Sequence, residues 1–177
     1  MVRVVIRRLM LAAIAASLVG VPTVFATASA SAATKPAAQA AAVSWPTVRP
    51  GAKGERVRTI QLLLNQRGYA LAVDGVYGSS TTNAVKAFQK VIKVSADGRV
   101  GPSTWPRLVI AIKRGSKDNA VLAVERWLRF VYGYKSVTVD RDFGPRTDAA
   151  VRNVQFNHRL RVDGVVGAST WQVIVAG

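Results

Sequence analysis

Apolar residues recur along the chain at helical spacing, in stretches separated by short Asp/Gly turns. In ERVRTIQLLLNQRG, Val57, Ile60, Leu63 and Leu64 share a face, and Gly68 stands where a helix would stop. TTNAVKAFQKVIK brings Ala84, Val85, Phe88 and Ile92 into register. PSTWPRLVIAI predicts a third helix, with Pro102 at a first-turn position that needs no N–H and Pro106 close behind it. The series then repeats. NAVLAVERWLRFVYG carries a stripe of Val121, Val124, Leu128 and Val131, followed by PRTDAAVRNVQFNHRL and ASTWQVIV. Only the alternation at 136–139, within KSVTVD, suggests a brief extended piece. The expected fold is all-α: two tandem three-helix modules at residues 51–113 and 114–177, behind a linker at 33–50.

One phrase, Asp-x-x-apolar-Gly-x-x-Thr, sets the punctuation. It reads DGVYGSST at 74–81, DGRVGPST at 97–104, DRDFGPRT at 140–147 and DGVVGAST at 163–170. The aspartates are 23, 43 and 23 residues apart, which means two phrases per module and a repeat of 66 residues. The Asp suits a turn in which it accepts from backbone N–H groups, and the glycine after it permits a left-handed backbone. The fourth position (Tyr77, Val100, Phe143, Val166) reads as an apolar plug. The second glycine starts a helix, and the Thr is placed to bond back toward the helix start. As a helix-entry device the phrase needs no ligand.

The N-terminus changes the setting. Arg3, Arg7 and Arg8 precede an apolar run at 9–21, and small-x-small sites follow at 26–28, 28–30 and 30–32. That is the pattern of a secretory signal peptide over residues 1–32. Pro22 and the Ser/Thr/Ala stretch beyond it interrupt the run short of a spanning length, so no stable membrane insertion is expected after cleavage. Residues 33–50 are Ala/Pro-rich and read as linker, with Trp45-Pro46 as a staple onto the first module.

The formal charge is +16, and +13 remains once the three leader arginines are removed. An exported cation of this size is expected to meet anionic wall polymers, not nucleic acid. The chain has no cysteine, which excludes thiol chemistry and a Cys-ligated metal, and its one histidine, His158, falls short of the two or three a His-built zinc site needs, so no metal or cofactor is expected.

Gly51-x-x-Gly54, Ile60-Gln61, Gly68-Tyr69, DGVYG, Phe88-Gln89, DGRVG and Thr104-Trp105 resemble the three-helix peptidoglycan-binding domain, a non-catalytic module appended to bacterial cell-wall hydrolases. The second module resembles it through Gly133-Tyr134, FGPRT, Gln155, DGVVG and Thr170-Trp171, departing from the first at Arg141-Asp142, Val154 and Glu125. The resemblance implies a protein secreted to the cell wall that recognises the glycan or stem peptide of peptidoglycan. It places the ligand at Tyr69, Asp74, Tyr77, Thr81 and Gln89, and at Tyr134, Asp140, Phe143, Thr147 and Gln155. Tyr77, Phe143, Trp105 and Trp171 suit a core equally well, and Gln89 and Gln155 suit a buried amide bonding the turn. Five of nine acids belong to the phrases, leaving no obvious carboxylate pair for a glycosidase. A non-catalytic binder is therefore expected. The alternative is a cryptic muralytic enzyme, or a partner of a separate hydrolase.

Overall fold

The computed structural model describes residues 44–177; the signal-peptide expectation and most of the linker lie outside them. The elements are α1 (Glu55–Asn65), α2 (Ser79–Val91), α3 (Trp105–Leu108), α4 (Asn119–Arg126), α5 (Pro145–Asn157) and α6 (Ala168–Ala176). No strand is formed among the described residues, so the fold is all-α, and 136–139 has no strand partner.

Each phrase closes against a stretch of chain upstream. Val48 pairs with Val100, Lys53 with Val76 and Ile112 with Val166 through isolated antiparallel bridges. The third phrase is held in the same way, Gly115 N–H donating to the Phe143 carbonyl and Phe143 N–H to that of Ser116. These links move the expected module edges. Trp45 stacks on Trp105 at 5.9 Å, Trp105 Nε1 donates to Pro46 O at 2.8 Å, and Val48 is buried. The start of the first module thus lies upstream of residue 51.

In the second module Trp171 Nε1 donates to Ile110 O at 2.8 Å, as Trp105 does to Pro46. Residues 110–112 thus serve the second module as 46–48 serve the first. This also corrects the expected third helix, because α3 ends at Leu108 and the chain turns extended at Val109. Pro106 sits in the first turn of that short helix, where it removes no needed N–H.

α1 is buried on nearly every side, with only Arg58 spared between Val57 and Leu64. The cause is a double interface: it faces α2 and α3 of its own module and packs along α4 of the other. Trp127 Nε1 donates to Thr59 Oγ1 at 2.7 Å, and Arg126 makes a two-pronged ion pair with Glu55 at 2.7 and 2.8 Å. Arg56 reaches the carbonyls of Val175, Ala176 and Gly177 at the end of α6. A single apolar core runs through both modules.

The second module carries one more residue than the first between its buried acid and its stop glycine. It is absorbed by a wide turn at Trp127–Val131, where α4 loosens into π geometry. Both helices then end alike: Gly68 and Gly133 take φ of +89° and +77°, and Tyr69 and Tyr134 donate back to Leu64 O and Leu128 O.

Candidate functional site

A buried amide sits under the first phrase. Gln61, 13 residues before Asp74 and 1% exposed, has its Nε2 within reach of Asp74 Oδ1 at 2.7 Å, Val76 O at 3.1 Å and Thr81 Oγ1 at 3.2 Å. Its Oε1 accepts from Gly75 N–H at 2.9 Å. Gln89 repeats this under the second phrase, with Asp97, Arg99 O, Thr104 and Gly98 N–H. Gln155 does so under the fourth, with Asp163, Val165 O, Thr170 and Gly164 N–H. Every polar side-chain atom buried among the described residues has a partner. The phrase is thus a turn closed over an amide, with the Thr hydroxyl bonding that amide. The Thr also bonds back as expected, Thr81, Thr104 and Thr170 Oγ1 reaching the turn carbonyls of Val76, Arg99 and Val165 at 3.5, 3.4 and 3.2 Å, although no side chain caps the helices that open at Gly78, Gly144 and Gly167.

The third phrase is built differently. Glu125 stands where the other three have glutamine, and is fully buried. Its Oε2 accepts from the N–H groups of Asp140 and Arg141 at 3.0 and 2.9 Å, and Thr147 Oγ1 donates to Oε1 at 3.4 Å. Burial pushes its carboxyl up to about 7 against the donated hydrogen bonds. Arg141 takes φ of +67°, the left-handed backbone that Gly75, Gly98 and Gly164 take at +75°, +73° and +73°. A Cβ at Gly75 would stand 2.7 Å from Arg58 Cζ, whose side chain covers that turn. In the second module the position equivalent to Arg58, 64 residues on, is Leu122.

The ten expected ligand residues divide by exposure. Tyr77 and Phe143 are core plugs, and the Tyr77 hydroxyl donates to Gly98 O at 2.8 Å. Burial pushes that phenol above its ordinary range. Thr81, Thr147, Gln89 and Gln155 are buried and bonded within the turns. Gln89 and Gln155 serve the second and fourth phrases, not the first and third as their expected grouping had it. Of these six, Thr81, Thr147 and Gln155 also line open hollows beside the phrases.

Asp74 and Asp140 are exposed, and Tyr69 and Tyr134 half-buried. The Val76 amide, with Gln61, holds the Asp74 carboxyl below the usual carboxylate range. The Thr138 hydroxyl, with the Asp142 amide, does the same for Asp140. Tyr134 donates to Asn153 Oδ1 at 2.8 Å.

Open hollows lie beside three of the phrases. The first, about 230 Å³, is bounded by Ala70 to Ala72, Asp74 and the serines that open α2, with Gln61 and Thr81 at its floor. The third phrase has one of about 260 Å³ between Thr138, Asp140 and the Pro145-Arg146 start of α5. The fourth has one of about 230 Å³ between Leu160-Arg161, Asp163 and Ser169. Each combines a fixed carboxylate with a helix entrance, an arrangement able to accept from and donate to a neutral polar ligand. Sequence reasoning did not choose Ser79, Ser80, Arg146 or Ser169. Their signal was available in their fixed places inside the repeated phrase.

The profile of the peptidoglycan binding domain family matches residues 53–108 and again 117–174. The chain belongs to that family. Both phrases of each module, and both buried acids or amides of each, lie inside the matched ranges.

Among curated relatives, the N-acetylmuramoyl-L-alanine amidase CwlL of Bacillus licheniformis is 29% identical over 70% of this chain and 43% of its own length. The zinc D-Ala-D-Ala carboxypeptidase of Streptomyces albus G is 36% identical over 52% of this chain and 41% of its own. The chain thus spans less than half the length of these relatives. Among solved structures, a peptidoglycan-binding protein from Clostridioides difficile in complex with glutamine hydroxamate is 43% identical over 36% of this chain and 40% of its own, with a TM-score of 0.35. The Burkholderia AP3 phage endolysin is 27% identical over 62% of this chain and 38% of its own, with a TM-score of 0.36. No helix among the described residues is long and apolar enough to cross a membrane.

Proposed function

We propose that the chain is a secreted, non-catalytic protein that attaches to bacterial peptidoglycan through both modules. The observation that carries this is the tandem family match, which spans nearly all of the described residues. The ligand surface of the first module is the hollow beside Asp74, with Tyr69 and the start of α2 at its margin. That of the second is the hollow beside Asp140, with Tyr134 nearby. Two weak sites on one chain raise the overall affinity through effective concentration. The large positive charge adds attraction to anionic wall polymers, and this part weakens with salt.

Co-sedimentation with purified insoluble peptidoglycan, with and without its attached anionic polymers, tests this across a salt series. Binding to the stripped wall at moderate salt is expected. Binding that vanishes with the polymers would leave charge attraction alone. The amidase and carboxypeptidase relatives make a second reading concrete, a muralytic activity or service to a separate hydrolase. A fall in the turbidity of the wall suspension would establish the first of these.

A further inference from the structure

Where the two modules meet, their surfaces leave a pocket of about 430 Å³. That size suits a small-ligand site, which runs from roughly 300 to 1,000 Å³ and is mostly apolar, with a few polar groups to orient what it holds. Its floor is Val48 from the arm, Val57 from α1 and Trp127 from the wide turn, all buried. Ala52 and Val131 continue the apolar lining outward, and Val131 is 45% exposed. Two exposed cations, Arg49 and Lys53, stand at the mouth. Neither has an ion-pair partner among the described residues. We propose that this junction is a third recognition site, which takes the free carboxylate end of a short peptide with small apolar side chains.

Glu55 is the one acidic side chain in the lining. It is held by Arg126 at 2.7 and 2.8 Å and by Arg58 at 3.0 Å, so two guanidinium groups outweigh its single charge. Arg56 fixes the wall between the modules, since it bonds the carbonyls at the end of α6 and its Cζ lies 6.0 Å from the Trp127 ring centre. One module on, the same positions carry a different set. Arg56 gives way to the buried Ala120, and Lys117, in the place of Lys53, pairs with Asp142 at 2.8 Å. The first phrase has Val76 where that acid stands, which leaves the Lys53 charge available to a ligand. The division between floor and mouth sets the ligand class. Methyl-bearing side chains gain by burial against Val57 and Trp127, and a terminal carboxylate gains from the cations above them. A phosphodiester polymer, polar along its whole length, would use the cations and leave the floor empty. The site deepens the wall-binding reading and rests on it for the source of the peptide, a stem peptide of peptidoglycan.

The experiment titrates the full chain with N-acetyl-alanyl-alanine in its L,L and D,D forms, with the C-terminal amides of both, and with acetate, following backbone amide shifts. At least one free acid is expected to move the Val48, Arg49, Ala52 and Val131 amides to saturation, about fivefold more tightly than its amide form. The double variant Arg49→Gln, Lys53→Gln changes only exposed side chains and is expected to weaken that binding about fivefold, with amides elsewhere unmoved. Acetate has the charge without the apolar body and is expected not to saturate the junction over the same range. Shifts confined to the Asp74 and Asp140 hollows, equal binding of acid and amide, or acetate matching the peptide overturns the site. So does poly(glycerol phosphate) moving the junction amides at lower concentration than the peptide. Co-sedimentation with stripped wall, run in parallel, separates this site from the reading it rests on. Sedimentation without junction shifts sinks the pocket and leaves wall binding, and junction shifts without sedimentation do the reverse.

Discussion

Gln89 and Gln155 each satisfy four polar neighbours from a fully enclosed position. Truncating either to Ala leaves those neighbours without partners in a space water does not freely reach. The expected cost is about 2–4 kcal/mol by urea unfolding, far above the usual effect of a surface change. Arg141→Gly should act oppositely. It relieves a left-handed backbone at a non-glycine residue and is expected to stabilise by about 1 kcal/mol, read in the same assay.

Glu125 gives a third residue-scale prediction. Its carboxyl is held up to about 7 in the fold against an ordinary 4.5, so between those values the folded chain keeps a proton that the unfolded chain has lost. Stability falls as pH rises through that window and levels off above it. The loss is about 3 kcal/mol relative to Glu125→Gln, at ~1.4 kcal/mol per pH unit. Thermal melts of the two proteins at about pH 5 and pH 8 check this, with the gap opening only at the higher pH.

At the scale of elements, the apolar stripes of α1, α2, α4 and α5 were legible in the sequence because each buries a face at helical spacing. The phrases were legible as turns because Asp-Gly and the apolar plug carry their own conformational preferences. Two things were not. The roles of Gln61 and Glu125 depend on where a polar atom meets a turn 13 and 15 residues later, and helical periodicity says nothing about that. The brevity of α3 depends on Ile110 and Ile112 being recruited by Trp171 and Val166, 61 and 54 residues on. Of the arm before residue 51 only the Trp45-Pro46 staple was expected; the pairing of Val48 with Val100 was not, since that partner is remote. Beginning the chain at Gly51 should therefore cost about 2–4 kcal/mol through lost burial and an orphaned indole N–H. Tryptophan emission should shift to the red as Trp105 loses its cover.

For the molecule as a whole, α1 and α4 form a shared wall, so the modules are halves of one core instead of independent beads. A single cooperative urea transition is expected for the full chain, seen at one midpoint by far-UV circular dichroism and by tryptophan fluorescence. The shared wall also fixes the two hollows relative to each other, which is what would let two weak contacts act together on one insoluble polymer.

The most direct test of this account is a chemical-shift map of the full chain titrated with soluble peptidoglycan fragments at moderate salt. The account predicts perturbed amides clustered beside Asp74 and Asp140, with Tyr69 and Tyr134 among them and the buried Gln89 and Gln155 side-chain amides little moved. A map confined to other surfaces, or shifts that disappear with modest added salt, would contradict it.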